Sequence, residues 1–154
     1  MKQPGTFRPI LVGGAIAATG DILFAIGMAL ARGDTAVHLL QVVASGALGR
    51  AAFDGGVPTA LAGLGLHVLL SLGWAGLFVL AARAFPALVR RPLWSALGYG
   101  VLVLVAMRLV VLPLSAFPFP SGLTPSWALL GDALSHVFLF ALPIVLAARR
   151  VLRA

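Results

Sequence analysis

Apolar residues along this chain gather into blocks of about twenty, the length at which a helix rising 1.5 Å per residue crosses a hydrocarbon layer roughly 30 Å thick. Four blocks stand out, over residues 10–31, 58–82, 93–112 and 127–148, and each has a physical boundary. The first follows Pro9 and stops at Arg32-Gly33-Asp34, a proline start and a glycine stop. The second begins at Pro58 and ends at Arg83. The third starts behind Arg90-Arg91-Pro92 and is expected to stop before Pro113, because proline disfavours helix in the residue preceding it. The fourth runs from Trp127 into Arg149-Arg150. The pattern predicts an all-α, four-transmembrane-helix bundle forming one integral membrane domain over residues 1–154.

The connections carry the orientation. Lys2 and Arg8, then Arg83, Arg90 and Arg91, then Arg149, Arg150 and Arg153 account for eight of the eleven basic residues. Short cytoplasmic segments concentrate Lys and Arg, so both ends are expected inside. The apolar run behind Lys2 and Arg8 contains a possible cleavage site at Ala15-Ile16-Ala17, but it continues to Ala31. An uncleaved first helix is expected.

Two outer segments follow from this topology. In the first, residues 33–57, Val37, Leu40, Val43 and Ala44 recur at helical spacing behind Thr35 or Asp34 as cap, which predicts a short helix over about 35–45. It is expected to end at Ser45-Gly46, and it either lies at the outer interface or dips in to line a cavity. Ser45 and Asp54 are its candidate polar residues. The second segment, Ser115 to Ser126, is proline-rich and carries Phe117 and Phe119. Such stiff, charge-free chain suits a lid.

Composition excludes more than it assigns. Sixty-one per cent hydrophobic residues, 10% charged and a mean hydropathy of +1.09 describe a chain that meets the lipid bilayer, not water. The net charge of +7 lies at block ends, which argues against nucleic acid as a partner. The absence of cysteine removes disulfides, thiolate nucleophiles and Cys-ligated metals. Gly13-Gly14 and Gly55-Gly56 lack phosphate-loop context, glutamate is absent, and no hydrolytic triad assembles from the spacing. The chain is expected not to be an enzyme.

Five ionisable residues fall inside the predicted spans: Asp21, His67, Arg108, Asp132 and His136. Each Asp or Arg at a helix centre costs roughly 2.5–3.5 kcal/mol on insertion scales, so such residues face the bundle interior and find partners. All five lie in the middle or outer half by residue count. Asp132 and His136 stand one turn apart, Asp21 shares a small-residue stripe with Gly14, Ala17 and Ala18, and His67 shares a face with Gly63 and Ser71. Arg108 leaves one of two carboxylates uncompensated, so the cluster is expected to hold a proton and to titrate as a unit.

Three uses remain open at this point. The cluster can handle protons or a small polar solute. It can be a structural lock, with Arg108 on Asp132 and each histidine donating to a carbonyl or a serine, in an accessory or assembly subunit bound through its lipid-facing helix surfaces and the Phe117/Phe119 loop to a membrane-protein partner, or in a homo-oligomer. Lastly, His67 and His136 can hold haem, or with the carboxylates a metal, although no local ligand motif is present and Arg108 would repel a cation. The cofactor is therefore unknown.

Asp21, the segment Ser45-Gly46…Gly49…Ala52-Phe53-Asp54-Gly55-Gly56, Gly65-Leu66-His67, Pro113-Leu114-Ser115 and His136…Leu142-Pro143-Ile144 together resemble a family of small, uncharacterised bacterial four-span inner-membrane proteins. More loosely the chain is similar to YagU-like inner-membrane proteins, which are associated with acid resistance. The resemblance implies a multi-pass protein of the bacterial inner membrane. Arg108 departs from the family pattern, where an uncharged polar residue such as Asn is expected, so an Arg–Asp pair would be peculiar to this chain.

Overall fold

The computed structural model describes residues 5–152; Lys2 and Arg153, assigned above to the cytoplasmic side, lie outside them. No strand occurs among the described residues. The chain forms α1 (Phe7–Ala31), α2 (Ala36–Leu48), α3 (Gly56–Ala84), α4 (Pro92–Leu114) and α5 (Trp127–Leu152). Short 3₁₀ turns follow α2 (Gly49–Phe53) and α3 (Pro86–Val89). Counting α2 with its 3₁₀ extension, all five are long and apolar enough to cross a membrane, which fits a multi-pass membrane protein.

Two expected helix ends are corrected. Pro113 does not stop α4, because a π-helical turn over Met107–Val111 precedes it and the Leu112 N–H reaches back to the Met107 carbonyl. Widening the turn moves the backbone that the proline ring would otherwise strike, and the missing N–H is absorbed there. The same device precedes Pro143, where His136–Ala141 is π-helical and the Leu142 N–H reaches Val137. Nor does α2 stop at Ser45-Gly46. The Ser45 hydroxyl donates to the Val42 carbonyl within the helix, and the chain turns only at Gly49, whose φ of 59° suits glycine.

α1 runs antiparallel to both α3 and α5. Arg83 donates to the Thr6 hydroxyl, Gly14 faces Leu72 and Ala75, and His67 bonds to Ala18, so residue numbers on α1 rise as those on α3 fall. On α5, Gly20 of α1 meets Leu139 and Phe24 meets Gly131. Gly100 of α4 meets His136 and Val137, and Tyr99 of α4 donates to the Trp74 carbonyl of α3.

The tightest packing occupies the half of the bundle that holds the end of α3 and the start of α4. Phe78, Val79, Val103, Phe140, Ile144 and Val145 are buried there. The outward surfaces are apolar too, as at Leu69 (68% exposed) and Leu23 (61%), a distribution suited to lipid and not to water.

Candidate functional site

The opposite half of the bundle is not filled. A cavity of about 450 Å³ lies between α1, α3, α4 and α5, and Asp21, His67, Arg108, Asp132 and His136 all line it. Five side chains from four helices thus share one space. Trp74, Val103 and Phe140 line it where it meets the packed core. Away from the core, Val42, Val43 and Gly46 of α2 and Phe117, Pro120 and Ser121 of the loop after α4 form its walls.

Glycine sets how closely these walls approach. At Gly63 the backbones of α3 and α2 touch, and a Cβ there would fall on the Leu40 carbonyl. At Gly100, a Cβ would lie 2.6 Å from the His136 carbonyl oxygen. The loop after α4 is tied to α2 through the Ala116 N–H, which donates to Gly46 at 3.0 Å.

The polar groups divide into a spent pair and a partly free set. Arg108 donates to the Asp132 carboxylate and, at 3.3 Å, to the Gly122 carbonyl, joining α4, α5 and the loop after α4. Both side chains remain about one-third exposed. The two histidines donate to backbone carbonyls: His67 Nε2–H to Ala18 at 3.0 Å and His136 Nδ1–H to Asp132 at 2.9 Å. A carbonyl only accepts, so these bonds set the tautomer of each neutral ring. Asp21 accepts the Ser135 hydroxyl on Oδ1 at 2.7 Å, and His136 Nδ1 stands 3.9 Å from the same oxygen. Asp21 Oδ2, His67 Nδ1 and His136 Nε2 have no hydrogen-bond partner among the described residues.

The i, i+4 spacing of Asp132 and His136 therefore does not make a carboxylate–imidazole pair; the histidine takes the Asp132 backbone, and the carboxylate turns to Arg108. Both Arg108 and His136 sit in the π-helical turns, which re-aim side chains relative to a regular helix.

The outer-segment candidates lie elsewhere. Ser45 is buried but bonded within α2, and Asp54 is exposed at the end of the 3₁₀ turn; neither lines the cavity. Sequence reasoning missed His38. Thr35 caps α2 by accepting from the His38 N–H, and Asp34 accepts from the Thr35 N–H and from His38 Nδ1 at 2.8 Å. Together these bonds hold the exposed Asp34 carboxyl below its ordinary value, the His38 hydrogen bond contributing most. The Asp34…His38 spacing of four residues across a cap was the available signal. The His38 ring packs on Phe53, Phe53 on Phe119 and Phe119 on Phe117, with centroids 5.5, 5.8 and 5.4 Å apart. The two loop phenylalanines are thus engaged with the chain's own segment between α1 and α3.

No group of three or more His, Asp or Glu side chains among the described residues is placed to hold a metal ion. Compared with known proteins, the chain matches no family model, no curated protein and no solved structure.

Proposed function

We propose that the chain is a four-span protein of the bacterial inner membrane that takes protons or a small polar solute from the outer side into the cavity around Asp21. One observation carries this reading: five ionisable groups from four helices line a single cavity, backed by a tightly packed apolar core. A lock between helices needs the Arg108–Asp132 pair and no empty volume beside it. The cavity of about 450 Å³ is partly open to its surroundings and large enough to admit a small solute.

Support for four spans comes from the pairing of α1 with α3. Thr6 lies by Arg83 and Ala18 by His67, so the end of α1 and the start of α3 fall at the same end of the bundle. The segment between them leaves and returns on one side. Its 13-residue helix α2 is about 20 Å long at 1.5 Å per residue, short of a full crossing. Orientation is supported by Arg8, Arg83, Arg90, Arg91, Arg149 and Arg150 at one end against Arg32 and Arg50 at the other. Trp94 and Trp127, 71% and 87% exposed near opposite ends, suit the two membrane interfaces. The inner-membrane placement rests on the family resemblance.

In this reading Asp21, His67 and His136 exchange with the occupant, while Arg108 and Asp132 form a fixed pair that also holds the outer loop. Proton and solute flux in proteoliposomes tests it. Asp21→Asn and His136→Ala are expected to abolish flux; flux unchanged in both ends the proposal.

A further inference from the structure

Apart from Arg108, the free valences of the cavity's charged and imidazole groups are acceptors. Arg108 brings the permanent positive charge, but its guanidinium is committed to Asp132 and to the Gly122 carbonyl. The Ser135 hydroxyl points its proton at Asp21, and the Ser71 hydroxyl points its own at the His67 carbonyl at 2.8 Å. What remains among the charged and imidazole groups is a set of acceptors: Asp21 Oδ2 and, on neutral rings, His67 Nδ1 and His136 Nε2. An ammonium group, a point charge with up to three N–H donors, complements such a set. Arg108 keeps unengaged N–H groups, but Asp132 already neutralises its charge, so a carboxylate or phosphate gains less there than an ammonium gains at Asp21.

The rest of the lining is apolar and aromatic. Trp74, Phe117 and Phe140 border the same space as Asp21, alongside Leu70, Met107 and Val111. Aromatic faces attract a cation and cover an apolar body, and about 450 Å³ falls within the range of small-molecule pockets. A bare inorganic cation would leave this apolar wall unused, and the described residues supply no multidentate ligand set for one.

We propose that the solute of this cavity is an organic monocation: a protonated amine on a small apolar or aromatic body, its N–H groups on Asp21 and its body against Trp74, Phe117 and Phe140. The assignment deepens the reading of the cavity as a solute site and rests on it.

The test is calorimetric titration of the chain in lipid nanodiscs, with empty nanodiscs as reference, using 2-phenylethylamine, 2-phenylethanol and 3-phenylpropionate. The three share a body and differ in charge. The amine is expected to bind at least about tenfold more tightly than the alcohol, as a charge-assisted contact allows. Asp21→Asn is expected to erase that advantage while leaving the alcohol within about twofold, which also reports an intact cavity; Asp21→Glu is expected to keep the preference. Equal binding of amine and alcohol, or tighter binding of the carboxylate, overturns the monocation assignment but leaves a solute site standing. Absence of binding by all three overturns it as well, and the flux of the Asp21→Asn protein then judges the wider reading separately.

Discussion

Replacing Gly100 by alanine pushes a methyl group into backbone. A Cβ at this position of α4 would lie 2.6 Å from the His136 carbonyl oxygen and 2.7 Å from Val137 Cα. Ordinary contact begins near 3.4 Å, so α4 and α5 must part by about 0.8 Å; neither atom belongs to a side chain that can swing aside. Overpacking of this kind costs about 1–3 kcal/mol. Gly98, two residues earlier, is exposed with nothing within 4 Å. Alanine there removes glycine's backbone freedom without a clash and changes stability by at most about 1 kcal/mol, in the favourable direction. Reversible unfolding in mixed micelles, followed by circular dichroism, is expected to rank Gly100→Ala below the parent and Gly98→Ala at or above it. Function should separate in the same way, since moving α5 carries His136, Ser135 and Asp132 away from Asp21 and Arg108. If the two variants match in stability and flux, the close α4–α5 contact does not set the site.

Three further outcomes follow. Gly63→Ala places a methyl on the Leu40 carbonyl and lifts α2 from α3, whereas Gly65→Ala meets nothing within 4 Å; tryptic cleavage after the exposed Arg50 should quicken in the first variant only. Because the folded Asp34 carboxyl is held low mainly by His38, its stabilising contribution is present above the unfolded value and is lost as pH falls through the lowered folded one. In a carboxyl-carbon NMR titration, His38→Gln should raise the Asp34 midpoint toward the ordinary carboxylate value, and an unmoved midpoint would rule out that cause. Arg108→Gln and Asp132→Asn each leave a charge without its partner and should cost about 1 kcal/mol at this one-third-exposed site, with the double variant more stable than the sum of the singles; strictly additive costs would mean that the two groups are not coupled.

Helix positions were legible because long apolar blocks with arginine, proline and glycine at their edges leave few alternatives in an all-α chain. The ends were less so. Pro113 reads as a stop in any regular helix, and only the π turn over Met107–Val111 carries α4 past it. Likewise Ser45-Gly46 reads as a terminator, yet the serine bonds within α2 and the glycine gives its carbonyl to Ala116, a partner seventy residues away that no local pattern announces. For the cluster, membrane depth and helix face named residues that turn out to line one cavity. The Arg108–Asp132 pair and the histidine-to-carbonyl bonds were among the alternatives the sequence left open, and the packed helices select them. Ser135 as the Asp21 partner emerges only once α1 and α5 are packed, and packing decides between the two placements left open for α2, whose Val42, Val43 and Gly46 line the cavity.

Accessibility tests the proposed outward opening of the cavity most directly. The chain has no cysteine, so single-cysteine reporters read cleanly. Leu66 and Leu70 line the cavity, Leu69 faces outward at 68% exposure and Val79 is buried in the core. In intact cells, a charged, membrane-impermeant thiol reagent added outside is expected to label Leu66→Cys and Leu70→Cys while sparing Leu69→Cys and Val79→Cys. Labelling of the cavity positions from the cytoplasmic side alone, or no faster than Leu69→Cys, would contradict it.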